Sequence, residues 1–131
     1  MRKSNAAGMG DRDRKMSSRT VNEEIIAALG EIPLEVEPDE YNGDEKIYIV
    51  FFITGQNPVK FGDNKPLKER YEIQVQLFMP ISSDHMALTK QIKKALFDNY
   101  FTYPDVTIIR EQSLGRKRIV FETEKDYKID I

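Results

Sequence analysis

Hydrophobic and polar positions follow two different periods along this chain. Apolar residues at helical spacing predict one helix that begins at Thr20 and a second that runs from Ser83 or Asp84 to about Asn99. Alternating or continuous apolar runs predict strands at residues 32–36, 46–54, 71–79, 105–111 and 118–123. The predicted fold is therefore α+β, in the order α-β-β-β-α-β-β, with helices packed on a mostly antiparallel sheet.

Residues 55–67 interrupt this pattern with Gly55, Pro58, Gly62 and Pro66. Such a broken and polar segment predicts a long connecting loop, and loops of that length tend to be functional or disordered. The segment mixes charged and polar groups with one aromatic ring, a composition that favours a surface contact over a core. The predicted contact residues are Lys60, Phe61, Asp63, Asn64 and Lys65.

Charge divides the chain into two parts. Residues 1–19 hold six basic and two acidic side chains without an apolar period, which predicts a disordered basic segment. Residues 20–131 hold 14 basic and 20 acidic side chains, and their length suits a single domain. Because an acidic body repels a phosphate backbone, no specific nucleic-acid binding is expected. Apolar runs are too short for a membrane span or a signal peptide, so synthesis in the cytoplasm is expected.

Composition narrows the chemistry that the chain can perform. The absence of cysteine excludes thiol nucleophiles and thiolate metal sites, and the one histidine, His85, lies beside Asp84 at a helix start, where a surface role is expected. The acidic residues between Glu35 and Glu45 do not have the spacing of a calcium loop and are interpreted as a solvated turn. The glycines form no phosphate-binding fingerprint. No cofactor or metal is expected.

One enzymatic alternative stays open, a metal-dependent nuclease. Pro104 and Asp105, followed by Asp126, Tyr127 and Lys128, have the form of a motif in which two carboxylates hold magnesium and a lysine orients the attacking water. If the last two strands pair, Asp105 and Asp126 could lie near one end of that hairpin. A second, weaker match comprises Pro38, Asp39, Asp44 and Lys46.

The run from Phe61 to Phe78 resembles a segment of the small tail-completion and tail-terminator proteins of long-tailed bacteriophages. It reads Phe-Gly-Asp-Asn-Lys-Pro-Leu-Lys-Glu-Arg-Tyr-Glu-Ile-Gln-Val-Gln-Leu-Phe, a loop with an Asp-Asn pair followed by an alternating strand. A helix and a strand hairpin then follow, with residues 109–112 leading to residues 117–121. The resemblance covers about residues 20–123, and the basic N-terminal extension departs from it.

This resemblance implies a structural role rather than an enzymatic one. Members of the family form rings that cap the tail tube or join it to the head. The implied partners are identical subunits, expected to form a hexameric ring, together with tail-tube and head-connector proteins. The implied location is the host cytoplasm during assembly and then the tail of the virion. A small host binding module of the same build is the remaining alternative.

Overall fold

The computed structural model describes residues 18–129, which fold into two helices and one five-stranded sheet. The elements are α1 (Ser18–Ala28), β1 (Glu35–Pro38), β2 (Tyr48–Gly62), β3 (Lys65–Pro80), α2 (Met86–Asp98), β4 (Asp105–Glu111), a short 3-10 helix (Gln112–Leu114) and β5 (Arg116–Lys128). The predicted α+β class and the order α-β-β-β-α-β-β are confirmed. Apart from its last two positions, the basic segment at residues 1–19 lies outside the described residues, so its predicted disorder stays a prediction.

The sheet has the strand order β1-β2-β3-β5-β4. β1 runs parallel to β2, and the other three pairs are antiparallel. β3 is central, because it pairs with β2 on one side and with β5 on the other, from Lys68 opposite Lys128 to Pro80 opposite Arg116. Its odd-numbered residues from Tyr71 to Met79 are buried, as the alternation predicts.

Both helices pack on one face of the sheet and enclose the core there. Val21, Ile25 and Leu29 of α1 and Ile92 and Leu96 of α2 are fully buried. They belong to one hydrophobic cluster with the inward residues of the central strands, which include Ile49, Phe51, Ile73, Val75, Leu77, Ile119 and Phe121. The opposite face of the sheet carries no described helix, and we call it the open face.

A polar contact ties α1 to the last strand. Glu24 Oε1 accepts hydrogen bonds from Tyr127 Oη and from Lys125 Nζ, each at 2.8 Å. Burial raises the pKa of the Tyr127 phenol, and the neighbouring Glu24 carboxylate raises it further. The contact joins residues more than 100 positions apart, so it fixes the helix against the far end of the chain.

The second helix is closed at both ends by local hydrogen bonds. The N-cap is His85, which makes no side-chain capping bond, rather than the predicted Ser83 or Asp84; Asp84 Oδ1 accepts from the Met86 amide at 3.0 Å just ahead of it. At the other end Tyr100 adopts a left-handed conformation with φ 71°, and the Phe101 amide donates to the Leu96 carbonyl at 3.1 Å. This is a Schellman ending with tyrosine at the position that glycine usually occupies. It turns the chain so that Phe101 enters the core.

Several predicted boundaries are wrong by a few residues; the strand expected at residues 118–123, for example, spans Arg116–Lys128. α1 begins at Ser18, so Thr20 lies in its first turn rather than ahead of it. The strand expected at residues 32–36 lies instead at Glu35–Pro38. There the Leu34 amide donates to the Ile32 carbonyl in a tight turn, and Ile32 is buried in the core. The alternating apolar pattern therefore marks residues that face the core, whether they lie in a turn or in a strand.

The larger correction concerns residues 55–67, which form a long β-hairpin and not a loop. β2 continues to Gly62 and β3 begins at Lys65. Pro58 is tolerated because β1 pairs with β2 only as far as Phe51, so no strand on that side requires its missing amide. Pro66 lies beyond the last β5 pairing, at Lys68. Register shifts after Ile53 and around Lys60 absorb the remaining irregularity as β-bulges.

Candidate functional site

A hairpin arm, residues 56–67, forms the end of the β2–β3 pair. β5 lies beside β3 as far as Lys68, which is opposite Lys60, and the Ile129 amide donates to the Leu67 carbonyl, so only residues 61–66 project beyond the third strand. Asp63 and Asn64 connect its strands, with φ of 51° and 63°. Two successive left-handed residues are the signature of a two-residue type I′ turn, which suits the twist of a hairpin. From Thr54 to Gly62 the strand extends roughly 25 Å at the usual rise per residue. The Asp-Asn pair noted in the sequence is therefore the tip of this arm.

Nothing among the described residues covers this arm. Its only half-buried positions are Gly62 and Pro66. Phe61 is 61% exposed, and Val59 and Leu67 are exposed as well. These three side chains leave apolar surface exposed near the end of the hairpin, of the kind that contact sites present.

The arm and its base are also basic. Residues 56–67 hold Lys60 and Lys65 against Asp63, and at the base Lys68 is followed by Glu69, which lies opposite Pro58. Lys60 lies directly opposite Lys68 in the register. Like charges at directly opposed positions of a sheet are destabilising. Among residues 18–129, neither lysine forms an ion pair with a carboxylate, so each positive charge stays available to a partner.

The bulge at Lys60 and Phe61 places both residues on one side of the arm. Lys60 pairs with Lys68, and Phe61 pairs with Pro66. Both partners are even-numbered β3 residues, which belong to the open face of the sheet. The two positive charges and the aromatic ring therefore share the open-face side of the arm.

The open face carries a row of stacked rings at one end. Tyr41 stacks on Tyr48 with ring centroids 4.2 Å apart, and Tyr48 stacks on Phe78 at 4.9 Å. Arg116 lies over the Phe78 ring at 5.1 Å from its centroid. These contacts shield the apolar centre of the open face, where Val50 is buried without a helix above it. A cavity of about 260 Å³ lies beside this row.

A larger groove of about 440 Å³ lies nearer the base of the arm. It is lined by polar, acidic and aromatic residues, with no lysine or arginine among them: Thr54, Glu72, Ile73, Thr102, Tyr103, Asp105, Glu122, Thr123 and Glu124. Tyr103 is 60% exposed and meets Phe97 edge to face at 5.9 Å. We call this feature the acidic groove; it joins four carboxylates to an aromatic rim.

The strand register places like charges against each other in the acidic groove. Glu72 lies directly opposite Glu124, and Asp105 lies directly opposite Glu122. Glu124 approaches Arg70 at 3.6 Å, and Glu72 accepts a hydrogen bond from Asn57. Within the described part of the chain, Asp105 and Glu122 have no cationic partner. The groove thus concentrates negative charge that the monomer leaves uncompensated.

The structure does not assemble the residues of the nuclease motif. Asp105 pairs with Glu122, four positions from Asp126 along β5, which separates the two aspartates by roughly 13 Å. One magnesium ion binds its ligands at about 2.1 Å and cannot span that gap. Asp126 accepts hydrogen bonds from Arg70 at 2.8 and 3.2 Å. Within residues 18–129, no group of three acidic or histidine side chains is placed to hold a metal ion. The acidic residues of the weaker match, Asp39 and Asp44, therefore belong to no such group either.

His85 is half-buried rather than on the surface, and it contacts a buried lysine. Its Nδ1 lies 3.1 Å from Lys117 Nζ, and Lys117 also donates to the Ser83 carbonyl at 2.5 Å. Lys117 is only 4% exposed. These bonds tie the start of α2 to β5, and within residues 18–129 no carboxylate is hydrogen-bonded to His85 to orient it as a general base.

The sequence identified half of this site. It predicted the exposed mixture of Lys60, Phe61, Asp63, Asn64 and Lys65, which the structure places at the end of the arm. It missed the acidic groove, because Glu72, Asp105 and Glu122 come from three strands. Only the strand register brings them together.

Within the described residues, no helix is long and apolar enough to cross a membrane. No family model matches the chain, and no curated protein matches it. Solved structures that are similar in shape include the following two. One, whose name states no function, is 13% identical with a TM-score of 0.49, and the match covers 88% of this chain and 97% of that one. The other belongs to the virion of a native gene transfer agent particle. It is 11% identical with a TM-score of 0.49, and the match covers 79% of this chain and 84% of that one. Similarity at this level does not show a shared function.

Proposed function

We propose that this chain is a structural protein of a phage or prophage tail, of the tail-completion, tail-terminator or head-tail joining kind. Identical subunits would form a ring, expected to be a hexamer, on the tail tube. The observation that supports this proposal most is the projecting arm, whose exposed Phe61 and lysines have no use within one subunit. The sequence resemblance of residues 61–78 supports the same role.

A head-to-tail contact between identical subunits either closes into a ring or continues as a filament. The arm suits such a contact because it extends beyond the body of its own subunit. Polar interfaces of modest size are weak alone and gain strength when a template raises the local concentration. The subunits are therefore expected to assemble best in the presence of tail tubes.

The proposal is tested with the double variant Phe61→Ala and Lys65→Ala. Its melting temperature should match that of the unaltered protein, and its binding to tubes of the tail-tube protein encoded beside it should fall. A matched control replaces Met86 and Lys90, an exposed apolar residue and a lysine on α2, by alanine. Equal binding of both variants would refute the role of the arm. If no tail genes neighbour this gene and no complex forms, the phage assignment is wrong and the host binding module is favoured.

The same proposal holds that the protein is not an enzyme and takes no cofactor. The separation of Asp105 from Asp126 and the engagement of Asp126 by Arg70 support this view. Incubation of DNA with the protein and magnesium or manganese should yield no cleavage. Cleavage that Asp126→Ala abolishes would reinstate the nuclease.

A further inference from the structure

The arm and the acidic groove are complementary in two independent respects. Lys60 of the arm lies opposite Lys68 at its base in a like-charge pair, whereas the groove carries Glu72 opposite Glu124 and Asp105 opposite Glu122. Phe61 beside the lysines is matched by Tyr103 at the rim of the groove, which meets Phe97 edge to face and has Lys93 Nζ 5.5 Å from its ring centroid on one side. Each surface is electrostatically unfavourable by itself, and contact between them would relieve both.

The arm cannot reach the groove of its own subunit. The groove begins at Thr54 and Glu72, at the base of the arm, and the tip lies roughly 25 Å farther along the strand. Folding the tip back would break the antiparallel pairing between Gly55 and Gly62. A second copy of the chain is the partner that supplies both the charge and the aromatic ring.

We propose that the arm of one subunit docks in the acidic groove of the next, with Lys60 and Lys68 facing Glu72 and Glu122, and Phe61 against Tyr103. This inference rests on the proposed function in one respect, the assembly of identical subunits. The contact joins two different surfaces, so repetition produces a ring or a filament and not a closed dimer.

Photo-cross-linking can detect such a contact even when it is weak. The chain has no cysteine, so Val59→Cys allows a benzophenone to be attached at one position on the arm. The labelled copy is irradiated with an excess of ¹⁵N-labelled chain, which distinguishes cross-links between copies from those within one. Heavy-isotope cross-linked peptides should contain residues 102–105 or 122–124. A benzophenone at Met86→Cys, an exposed position on α2, serves as the control and should not label these peptides.

Charge reversal tests the specificity of the contact. Lys60→Glu with Lys68→Glu on the labelled copy should lower the yield at least about fivefold, and so should Glu72→Lys with Glu122→Lys on the ¹⁵N copy. The two reversed proteins together should restore the yield, because the charges are again opposite. Neither variant should have a lower melting temperature. Glu72→Lys with Glu122→Lys turns two like-charge pairs into opposite-charge pairs, and Lys60→Glu with Lys68→Glu replaces one exposed like-charge pair by another.

Several results would overturn the proposal. Cross-links that map to another surface would do so, as would a yield that does not respond to charge. Residues 1–17, with five basic and two acidic side chains, are a rival occupant of the groove. If deleting them raises labelling of the groove while arm reversal has no effect, the groove holds that segment instead. Tube binding that persists after any of these outcomes would leave the proposed function standing, with its subunit contact elsewhere.

Discussion

The two halves of the β2–β3 hairpin have the same secondary structure and different sources of stability. In the body, Phe51 lies opposite Val75, and both are buried beneath the helices. In the arm, Phe61 lies opposite Pro66 and is 61% exposed. The body is held by apolar burial, whereas the arm is held by its backbone ladder and its turn. One continuous pair of strands can therefore contain a core and a contact surface.

The sharpest test of this difference compares two alanine variants. Phe51→Ala removes a fully buried ring and should cost about 3–5 kcal/mol of unfolding free energy. Phe61→Ala, at an exposed site, should change it by less than about 0.5 kcal/mol. Urea denaturation measures both. Comparable losses would show that the arm belongs to the cooperative core.

A polar contact of the body offers a second, smaller test. Tyr127→Phe removes the hydrogen bond to Glu24 and should cost about 1–2 kcal/mol near neutral pH. The folded protein raises the pKa of Tyr127, so this stabilisation is present below the unfolded pKa of about 10 and is lost as pH rises above it. Alkaline denaturation should therefore be weaker in the variant than in the unaltered protein. If both proteins unfold over the same alkaline pH range, ionisation of Tyr127 does not control alkaline unfolding.

The smallest expected effect lies in the turn of the arm. Asn64→Ala places a less tolerant residue at φ 63° and should weaken the turn by about 1 kcal/mol, whereas Asn64→Gly should be tolerated. Because the arm opens locally, the loss should appear as faster hydrogen exchange at residues 56–67 with little change in melting temperature. Faster exchange throughout the sheet would mean that the two halves of the hairpin open together.

The elements of the body were predictable because burial imposes a period on their residues. β4 was located at residues 105–111, and the inward face of β3 follows the alternation from Tyr71 to Met79. The arm has no buried face and therefore no period, so its glycines and prolines indicated a loop. Its residues were nevertheless predicted to be an exposed contact surface from their composition; the structure shows most of them exposed, and the contact stays a prediction. The acidic groove depends on pairing between distant strands, which no local pattern encodes.

The strand order also bears on how the chain reaches its native state. The β2–β3 hairpin closes through a two-residue turn, and hairpins of this kind form within microseconds. By contrast, β3 pairs with β5 between residues that are far apart in the sequence, from Pro80 opposite Arg116 to Lys68 opposite Lys128. Such distant pairings carry a large loop-closure entropy and slow the search for the native topology. The turn at Asp63 and Asn64 therefore aligns β2 and β3 early in folding. β5 can then pair with the edge of β3 that this hairpin leaves open.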